Sequence, residues 1–173
     1  TDIVQEGVDL AFRLGELADS SLMAKRIALS PRKLWASPIY IAQQKDVSRP
    51  GELSPEDALH LRQQTGAAVW EMTHKESGEV ETLRAAGRFR ASSGDVLIQG
   101  AQDALGYILA PDWLVCEKVR EGQLARLLPE WEAAELPLHV VWSGGKLKGK
   151  AKLLADHIGE AMKAKELREP EAV

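Results

Sequence analysis

Hydrophobic and polar residues alternate along this chain with two periods, one typical of strands and one typical of helices. Short apolar runs bounded by polar or turn residues predict strands at 8–12, 23–29, 33–36, 107–109 and 138–142. Two runs at 67–72 and 79–85, separated by a polar turn at 75–78, predict a β-hairpin. Apolar residues three or four apart predict helices over 96–104 and 147–161. Strands that alternate with helices indicate an α/β fold with part of its sheet parallel.

Serine and proline mark the predicted starts of shorter helices. Ser37 can cap a helix that has Pro38 in its first turn, because a serine hydroxyl accepts a hydrogen bond from a first-turn amide. The same pattern recurs at Ser54, with Asp57 at the position that completes a capping box. Further boundaries are predicted at Gly106, which would end the helix over 96–104, and at Pro111-Asp112, which would begin another.

Composition and charge narrow the class of protein. The chain has 173 residues, of which 45% are hydrophobic, and a formal net charge of -4. This apolar content suits one or two folded domains and is too high for a disordered chain. An acidic chain is by itself a poor partner for the phosphate backbone of nucleic acid. No apolar run is long enough to cross a bilayer, and no leader precedes Thr1, so we expect a secretory signal to be absent or already removed.

Residue types that carry catalysis or bind metals form no recognisable motif. The single cysteine, Cys116, excludes an internal disulfide and a multi-cysteine zinc site, and its apolar neighbours predict a buried thiol. The four histidines lack the spacing of metal ligands. The segment 143–146, Ser-Gly-Gly-Lys, follows a predicted strand but is not a full phosphate-binding motif, so we interpret it as a turn. We therefore expect no cofactor and no metal, and no residue pattern indicates an enzyme.

The amino-terminal part of the chain carries a pattern that resembles a known family. Residues 7–15 read GVDLAFRLG, and 17–22 read LADSSL. This stretch resembles LysR-type transcriptional regulators, whose effector-binding domain has a similar G-x-D-L-A-hydrophobic-R-x-G run followed by D-S-S-L. Further matching positions, in the family's order, are 26, 34–42, 55–60, 87–88, 92, 101, 104–106, 111–112, 124, 127–129 and 131. The resemblance covers essentially the whole chain.

The resemblance implies a fold of two Rossmann-like α/β subdomains, like that of type 2 periplasmic binding proteins. Subdomain I would comprise residues 1–36 and 138–173, and subdomain II residues 37–137. The strand and helix that open the family's domain would lie before Thr1, so we expect subdomain I to be incomplete at its amino terminus. The family's helix-turn-helix domain would also lie outside this chain.

The resemblance also implies that a small effector binds in the cleft between the two subdomains, where such folds bind ligands. The expected contacts are Arg13, Leu14, Ser37, Pro38, Ser92, Ser93 and Gly94. The run from Ser92 to Gly94 precedes a predicted helix start, so its hydroxyls and amides can hold an anion. Two alternatives stay open: Ser92 can be a simple cap on the Asp95 amide, and Arg13 can pair with Asp19.

Taken with the resemblance, these features predict the effector-sensing and oligomerisation domain of a bacterial, cytoplasmic LysR-type regulator. The effector would be a small carboxylate or aromatic compound, held by an arginine, a helix amino terminus and apolar residues. We expect a homo-oligomer, a dimer or tetramer, that reaches promoter DNA only through a helix-turn-helix domain absent from this chain. Two alternatives are a periplasmic-type solute-binding protein that delivers a small molecule to a transporter, and an enzyme built on the same architecture.

Overall fold

The computed structural model of the chain describes residues 10–15, 17, 22–44, 46–62, 68–145 and 147–164. Its strands are β1 (Ala11–Leu14), β2 (Met23–Ala36), β3 (His60–Leu61), β4 (Ala68–His74), β5 (Val80–Ala85), β6 (Arg90–Ala91), β7 (Tyr107–Pro111), β8 (Ala125–Leu127) and β9 (Trp131–Trp142). Its helices are α1 (Pro38–Gln43), α2 (Gly94–Gln102), α3 (Asp112–Arg120) and α4 (Gly149–Ala164). Short 3-10 turns cover Pro50–Glu52 and Pro55–Asp57. This mixture of strands and helices confirms the predicted α/β class.

The chain divides into two compact units. Unit 1 contains Thr1–Ser30 and Glu135–Val173, and unit 2 contains Pro31–Ala134. Strands β2 and β9 each contribute residues to both units. These bounds lie a few residues from the subdomain bounds that the resemblance implies, at 36/37 and 137/138. The difference arises because residues 32–36 pair with β7, and residues 34–36 also pair with β8, inside unit 2.

Unit 1 is built from β1, β9, the first part of β2 and helix α4. Strand β1 is antiparallel to β9, with Ala11 opposite Val141. Helix α4 packs closely on β2: a Cβ added at Gly159 would lie 3.2 Å from the Ile27 carbonyl oxygen. Lys25 also pairs with Asp156 at 3.2 Å. The core of this unit contains Val140, Trp142 and Ala155, with Leu10, Phe12, Ile27 and Leu147 packed against them.

Unit 2 contains several antiparallel strand pairs and one separate parallel pair. Strand β4 is antiparallel to both β5 and β9, and β2 is antiparallel to both β7 and β8. Strands β3 and β6 are parallel, with His60 opposite Arg90. Ala58, just before β3, forms a parallel bridge with Tyr107 of β7. Parallel pairing is therefore present, as predicted, but in a separate two-stranded sheet and one isolated bridge.

Two tyrosines and a tryptophan form the aromatic centre of unit 2. The Tyr107 ring lies 6.1 Å from the Tyr40 ring and 6.2 Å from the Trp70 ring, measured between centroids. The Tyr107 hydroxyl donates to the Ser54 carbonyl at 2.9 Å, and the Tyr40 hydroxyl donates to Asp57 Oδ2 at 2.9 Å. Both hydrogen bonds attach the segment around the Pro55–Asp57 turn to the core.

The helix starts at Ser37 and Pro111-Asp112, the β-hairpin and the final helix are confirmed. The capping box at Ser54 is wrong. Ser54 begins only a single 3-10 turn and makes no cap hydrogen bond with its side chain. The Asp57 carboxylate, which would complete the box, instead accepts from the Tyr40 hydroxyl in the core.

Other element boundaries also differ from the expectation. The two extended pieces at 23–29 and 33–36 form one strand, β2, because Pro31 has a φ that suits extended backbone. Helix α2 ends before Gly106, because Ala104 adopts a left-handed φ of 59°. Strand β9 begins at Trp131, earlier than predicted. The strand predicted over 8–12 is seen as β1 from Ala11, and residues 8 and 9 lie outside the described residues.

Candidate functional site

Three short strands of unit 2 run in the same direction and end at one edge of the unit. Strand β3 is parallel to β6, and the bridge between Ala58 and Tyr107 sets β7 parallel to β3. The three strands therefore end together, at Leu61, Ala91 and Pro111. We call this the carboxyl edge. Ligands of open α/β sheets bind outside the carboxyl ends of their strands.

The predicted anion-binding segment lies at the carboxyl edge, where β6 leads into α2. Ser93 is the cap of α2, and its hydroxyl accepts from the Asp95 amide at 3.3 Å. Ser93, and not the exposed Ser92, therefore makes the cap bond. The first amides of a helix have no partner within it, and the positive end of the helix dipole favours an anion beside them. A Cβ added at Gly94 would lie 3.6 Å from a Leu114 methyl group, so α3 packs beside this helix start.

The start of α3, at the end of β7, is occupied by a buried ion pair. Asp112 is only 3% exposed, and Lys33 Nζ of β2 donates to its Oδ2 at 2.9 Å. The same nitrogen lies 3.8 Å from Glu132 Oε1 of β9, and Arg126 Nη1 lies 3.7 Å from that oxygen. Two cations and two carboxylates thus join β2, β8, β9 and α3. Both helices carry an acid in the first turn, but Asp112 is buried in this ion pair at the start of α3, whereas Asp95 of α2 is exposed to solvent.

Ser37 and Pro38 lie at the opposite edge of unit 2. Strand β2 is antiparallel to β7, so its end at Ala36 is opposite Tyr107, where β7 begins. Ser37 follows directly, and its hydroxyl accepts from an α1 amide at 3.2 Å, so it is the predicted cap. The structure therefore places Ser37 and Pro38 at the edge of unit 2 opposite to the start of α2. The role of Ser37 and Pro38 in effector binding stays a prediction.

Arg13 and Leu14 belong to unit 1, on strand β1. They lie opposite His139 and Leu138 of β9, and both are exposed, Leu14 by 51%. Asp19, the alternative partner for Arg13, lies outside the described residues. Their part in effector binding also stays a prediction.

Comparison with protein families gives a clear result for this chain. The family model for the LysR substrate binding domain matches residues 1–163. The chain belongs to this family. It is similar to the HTH-type transcriptional regulator DmlR of Escherichia coli K12, at 31% identity over 131 residues, which are 75% of this chain and 42% of DmlR. It is also similar to the HTH-type transcriptional activator TtdR of Escherichia coli UTI89, at 27% identity, with 75% of this chain and 42% of TtdR covered.

Solved LysR regulatory domains have the same fold. The CrgA regulatory domain of Neisseria meningitidis matches with a TM-score of 0.74 and 26% identity, over 92% of this chain and 78% of that one. The regulatory domain of the C227S variant of AphB from Vibrio vulnificus matches with a TM-score of 0.69 and 26% identity, over 92% and 80%. These matches confirm the fold class that the resemblance implies, like that of periplasmic binding proteins. The LysR domain described here spans about half the length of the curated relatives that it matches.

Some polar residues of this LysR domain were not expected from its sequence. The buried pair of Lys33 and Asp112 is one, and the exposed Arg62, directly after β3 at the carboxyl edge, is another. The sequence offered two signals for the buried pair. One is a lysine next to Leu34 and Trp35 in an apolar strand, and the other is an aspartate directly after a strand. Neither signal identifies the partner, because the pair joins residues far apart in the chain.

Other expectations concern metals, membranes and the single thiol. Within the described ranges of the LysR domain, no group of three His, Cys, Asp or Glu side chains could hold a metal ion. None of the helices in these ranges is long and apolar enough to cross a membrane. Cys116 is buried, as its apolar neighbours predict. The curated relatives named above are transcriptional regulators, so the solute-binding alternative is not favoured.

Proposed function

We propose that this chain is the part of a LysR-type transcription regulator that senses a small effector, a carboxylate or an aromatic compound. The observation that carries the proposal is the position of Ser92, Ser93 and Gly94. In a chain of the LysR substrate-binding family, they open helix α2 at the carboxyl edge of three parallel strands.

The chemistry of that position suits a carboxylate. The first amides of α2 can donate to its oxygens, the hydroxyl of the exposed Ser92 can donate as well, and the helix dipole adds a favourable potential. The resemblance adds Arg13, whose guanidinium can bind a carboxylate through two parallel hydrogen bonds, and Leu14, an exposed apolar contact. The α2 start thus suits the charged end of a ligand, and the contacts that the resemblance adds would suit a carboxylate and an apolar group.

The proposal extends from binding to regulation through the family. A ligand that binds one conformation of the domain better than another shifts the population toward that conformation. In the full-length cytoplasmic regulator, a homo-oligomer, this shift would change how the helix-turn-helix domains meet promoter DNA. The relatives named above are each called an HTH-type transcriptional regulator or activator, which supports this wider role. In this proposal, the chain itself supplies the sensing step.

Calorimetry on three variants tests the site. A ligand is first selected as the small carboxylate or aromatic acid that most raises the melting temperature of the chain. We expect Arg13→Ala, and the double change Ser92→Ala/Ser93→Ala, each to weaken its binding about tenfold or more without unfolding the domain. Ser37→Ala removes a cap of the same kind at the opposite edge of unit 2. Because the resemblance also implies an effector contact at Ser37, this variant tests whether Ser37 takes part in binding.

Unchanged affinity in both Arg13→Ala and the double variant would refute the proposed site. A loss of affinity in Ser37→Ala equal to that in the double variant would support the contact at Ser37 that the resemblance implies. Retained affinity in Ser37→Ala alone would restrict the contacts in unit 2 to the carboxyl edge.

A further inference from the structure

One face of the β3–β6 pair collects positive charge. His60 lies directly opposite Arg90 in the parallel register, so both side chains point to the same side of the pair. The Arg62 amide continues the pairing of these strands by donating to the Ala91 carbonyl at 2.8 Å, which places Arg62 on the side of His60. Arg88 stands two residues before Arg90, at a bend that precedes β6. We call these four residues, His60, Arg62, Arg88 and Arg90, the basic face.

The neighbours in sequence show that this is the face away from α2. A Cβ added at Gly100 of α2 would lie 3.2 Å from a Leu59 methyl group and 3.3 Å from the Phe89 ring. Leu59 and Phe89 therefore point toward α2. Because side chains alternate along a strand, the residues that follow them, His60 and Arg90, point to the other side.

The three arginines of the basic face are exposed and have no carboxylate partner. In the described part of the chain, none of them forms an ion pair, and the only hydrogen bond from their guanidinium groups is from Arg90 Nε to the Gly87 carbonyl at 3.4 Å. By contrast, Arg49 pairs with both Glu79 and Glu81. Like charges on neighbouring positions of paired strands repel each other. In an acidic chain with a net charge of -4, three such arginines mark a local positive potential.

His60 adds unused hydrogen-bonding capacity to the basic face. It is only 3% exposed, and neither of its ring nitrogens has a hydrogen-bond partner among the described residues. Buried polar atoms are rarely left without one, so an unsatisfied pair in a native fold calls for an explanation. The ring is an unused hydrogen-bonding group directly opposite Arg90 in the strand register.

We propose that the basic face binds a small oxyanion with at least two negative charges, carried by carboxylate or phosphate groups. Guanidinium groups bind both kinds of oxyanion through paired hydrogen bonds, and the charge of the anion offsets the repulsion among the arginines. This site is additional to the proposed effector site. Arg88 and Arg90 precede the carboxyl edge, and Arg90 lies on the face away from α2, whereas the effector contacts open α2. Arg62 is the one member of the basic face that lies at the carboxyl edge.

Calorimetric titration of the chain tests the proposal with two probes, pyrophosphate for phosphate groups and malonate for carboxylates. We expect at least one of them to bind, and the double change Arg88→Gln/Arg90→Gln to weaken that binding about tenfold or more. Arg84→Gln is the matched control. Arg84 is also exposed, on β5, and no described residue forms an ion pair with it. Its loss should leave the affinity unchanged.

The outcomes separate this site from its alternatives. Binding of pyrophosphate alone or malonate alone supports the site and names its ligand class, whereas failure of both probes to bind overturns it. Equal weakening in Arg84→Gln overturns it too, because the binding would then follow net charge only. A third outcome is binding that persists in Arg88→Gln/Arg90→Gln and is lost in Ser92→Ala/Ser93→Ala. Such binding belongs to the effector site and also overturns the proposal.

Nuclear magnetic resonance gives a second readout. The ring nitrogen resonances of His60 should shift on titration in the wild-type chain and not in the double arginine variant.

Discussion

At the scale of single residues, two similar sequence patterns have different outcomes. Ser37 and Ser54 both precede a proline and both predict a helix cap. Only Ser37 uses its side chain as a cap, while Ser54 offers its backbone carbonyl to Tyr107. The local pattern predicts both caps equally well. The difference comes from the core, where Tyr40 takes the Asp57 carboxylate that would complete the box.

Replacing these two serines should therefore have unequal effects on stability. Ser37→Ala removes a buried cap bond and should lower the free energy of unfolding by about 1 kcal/mol. Ser54→Ala leaves the carbonyl that Tyr107 contacts and should change it by less than about 0.5 kcal/mol. Urea denaturation of both variants measures the difference. Equal destabilisation would contradict the assignment of Ser37 as the cap that matters.

The two tyrosines of the chain also make a prediction at this scale. Burial, and then the hydrogen bond to Asp57, raises the pKa of Tyr40, and burial raises the pKa of Tyr107. In the unfolded chain both ionise near pH 10, at about their ordinary pKa. Their contribution to stability is therefore present below about pH 10 and is lost as the pH rises above it.

Ultraviolet absorbance of tyrosinate, followed together with circular dichroism during an alkaline titration, checks this expectation. We expect tyrosinate to form only as the chain unfolds, because these are the only two tyrosines in the sequence. The variant Tyr40→Phe should reduce the slope of stability against pH above about pH 10. Tyrosinate that forms while the fold remains intact would show that the phenols are not protected.

At the scale of elements, long periodic segments could be predicted and short strands could not. Helices α2, α3 and α4 and the hairpin have apolar spacing or end signals that are visible locally. Strands β3 and β6 have two residues each, too few for a period, and they form because distant backbones approach each other closely. A Cβ added at Gly87 would lie 1.9 Å from the Ala58 carbonyl oxygen, so this approach requires a glycine.

A single methyl group at Gly87 should therefore disturb the small parallel sheet. Gly87→Ala is expected to lower the free energy of unfolding by at least about 2 kcal/mol, because the backbone of residue 58 must move. Gly145→Ala is the matched control, since nothing lies within 4 Å of a Cβ at that glycine. Thermal and urea unfolding of the two variants give the comparison. A stable Gly87→Ala variant would mean that the close approach is not needed.

At the scale of the whole molecule, the family resemblance predicted more than the periodicity did. The residues from 7 to 22 indicated the family, and the family implied two α/β subdomains. The structure divides the chain at Ser30/Pro31 and Ala134/Glu135, within two long strands whose pairing is set by distant partners. The helix start at Ser93 could be predicted because a cap pattern marks it, whereas the part of Ser92 to Gly94 in effector binding stays a prediction. The buried pair of Lys33 and Asp112 could not, because no local pattern links its members.

The central claim is that this LysR domain binds its effector at the carboxyl edge, at the start of α2. The most direct measurement is the change in backbone amide resonances when the chain is titrated with the small acid that stabilises it most. The largest changes should fall on residues 92–95, with a second group at Arg13 and Leu14. Changes confined to α1 or α4, with the amides of 92–95 unmoved at saturation, would contradict the claim.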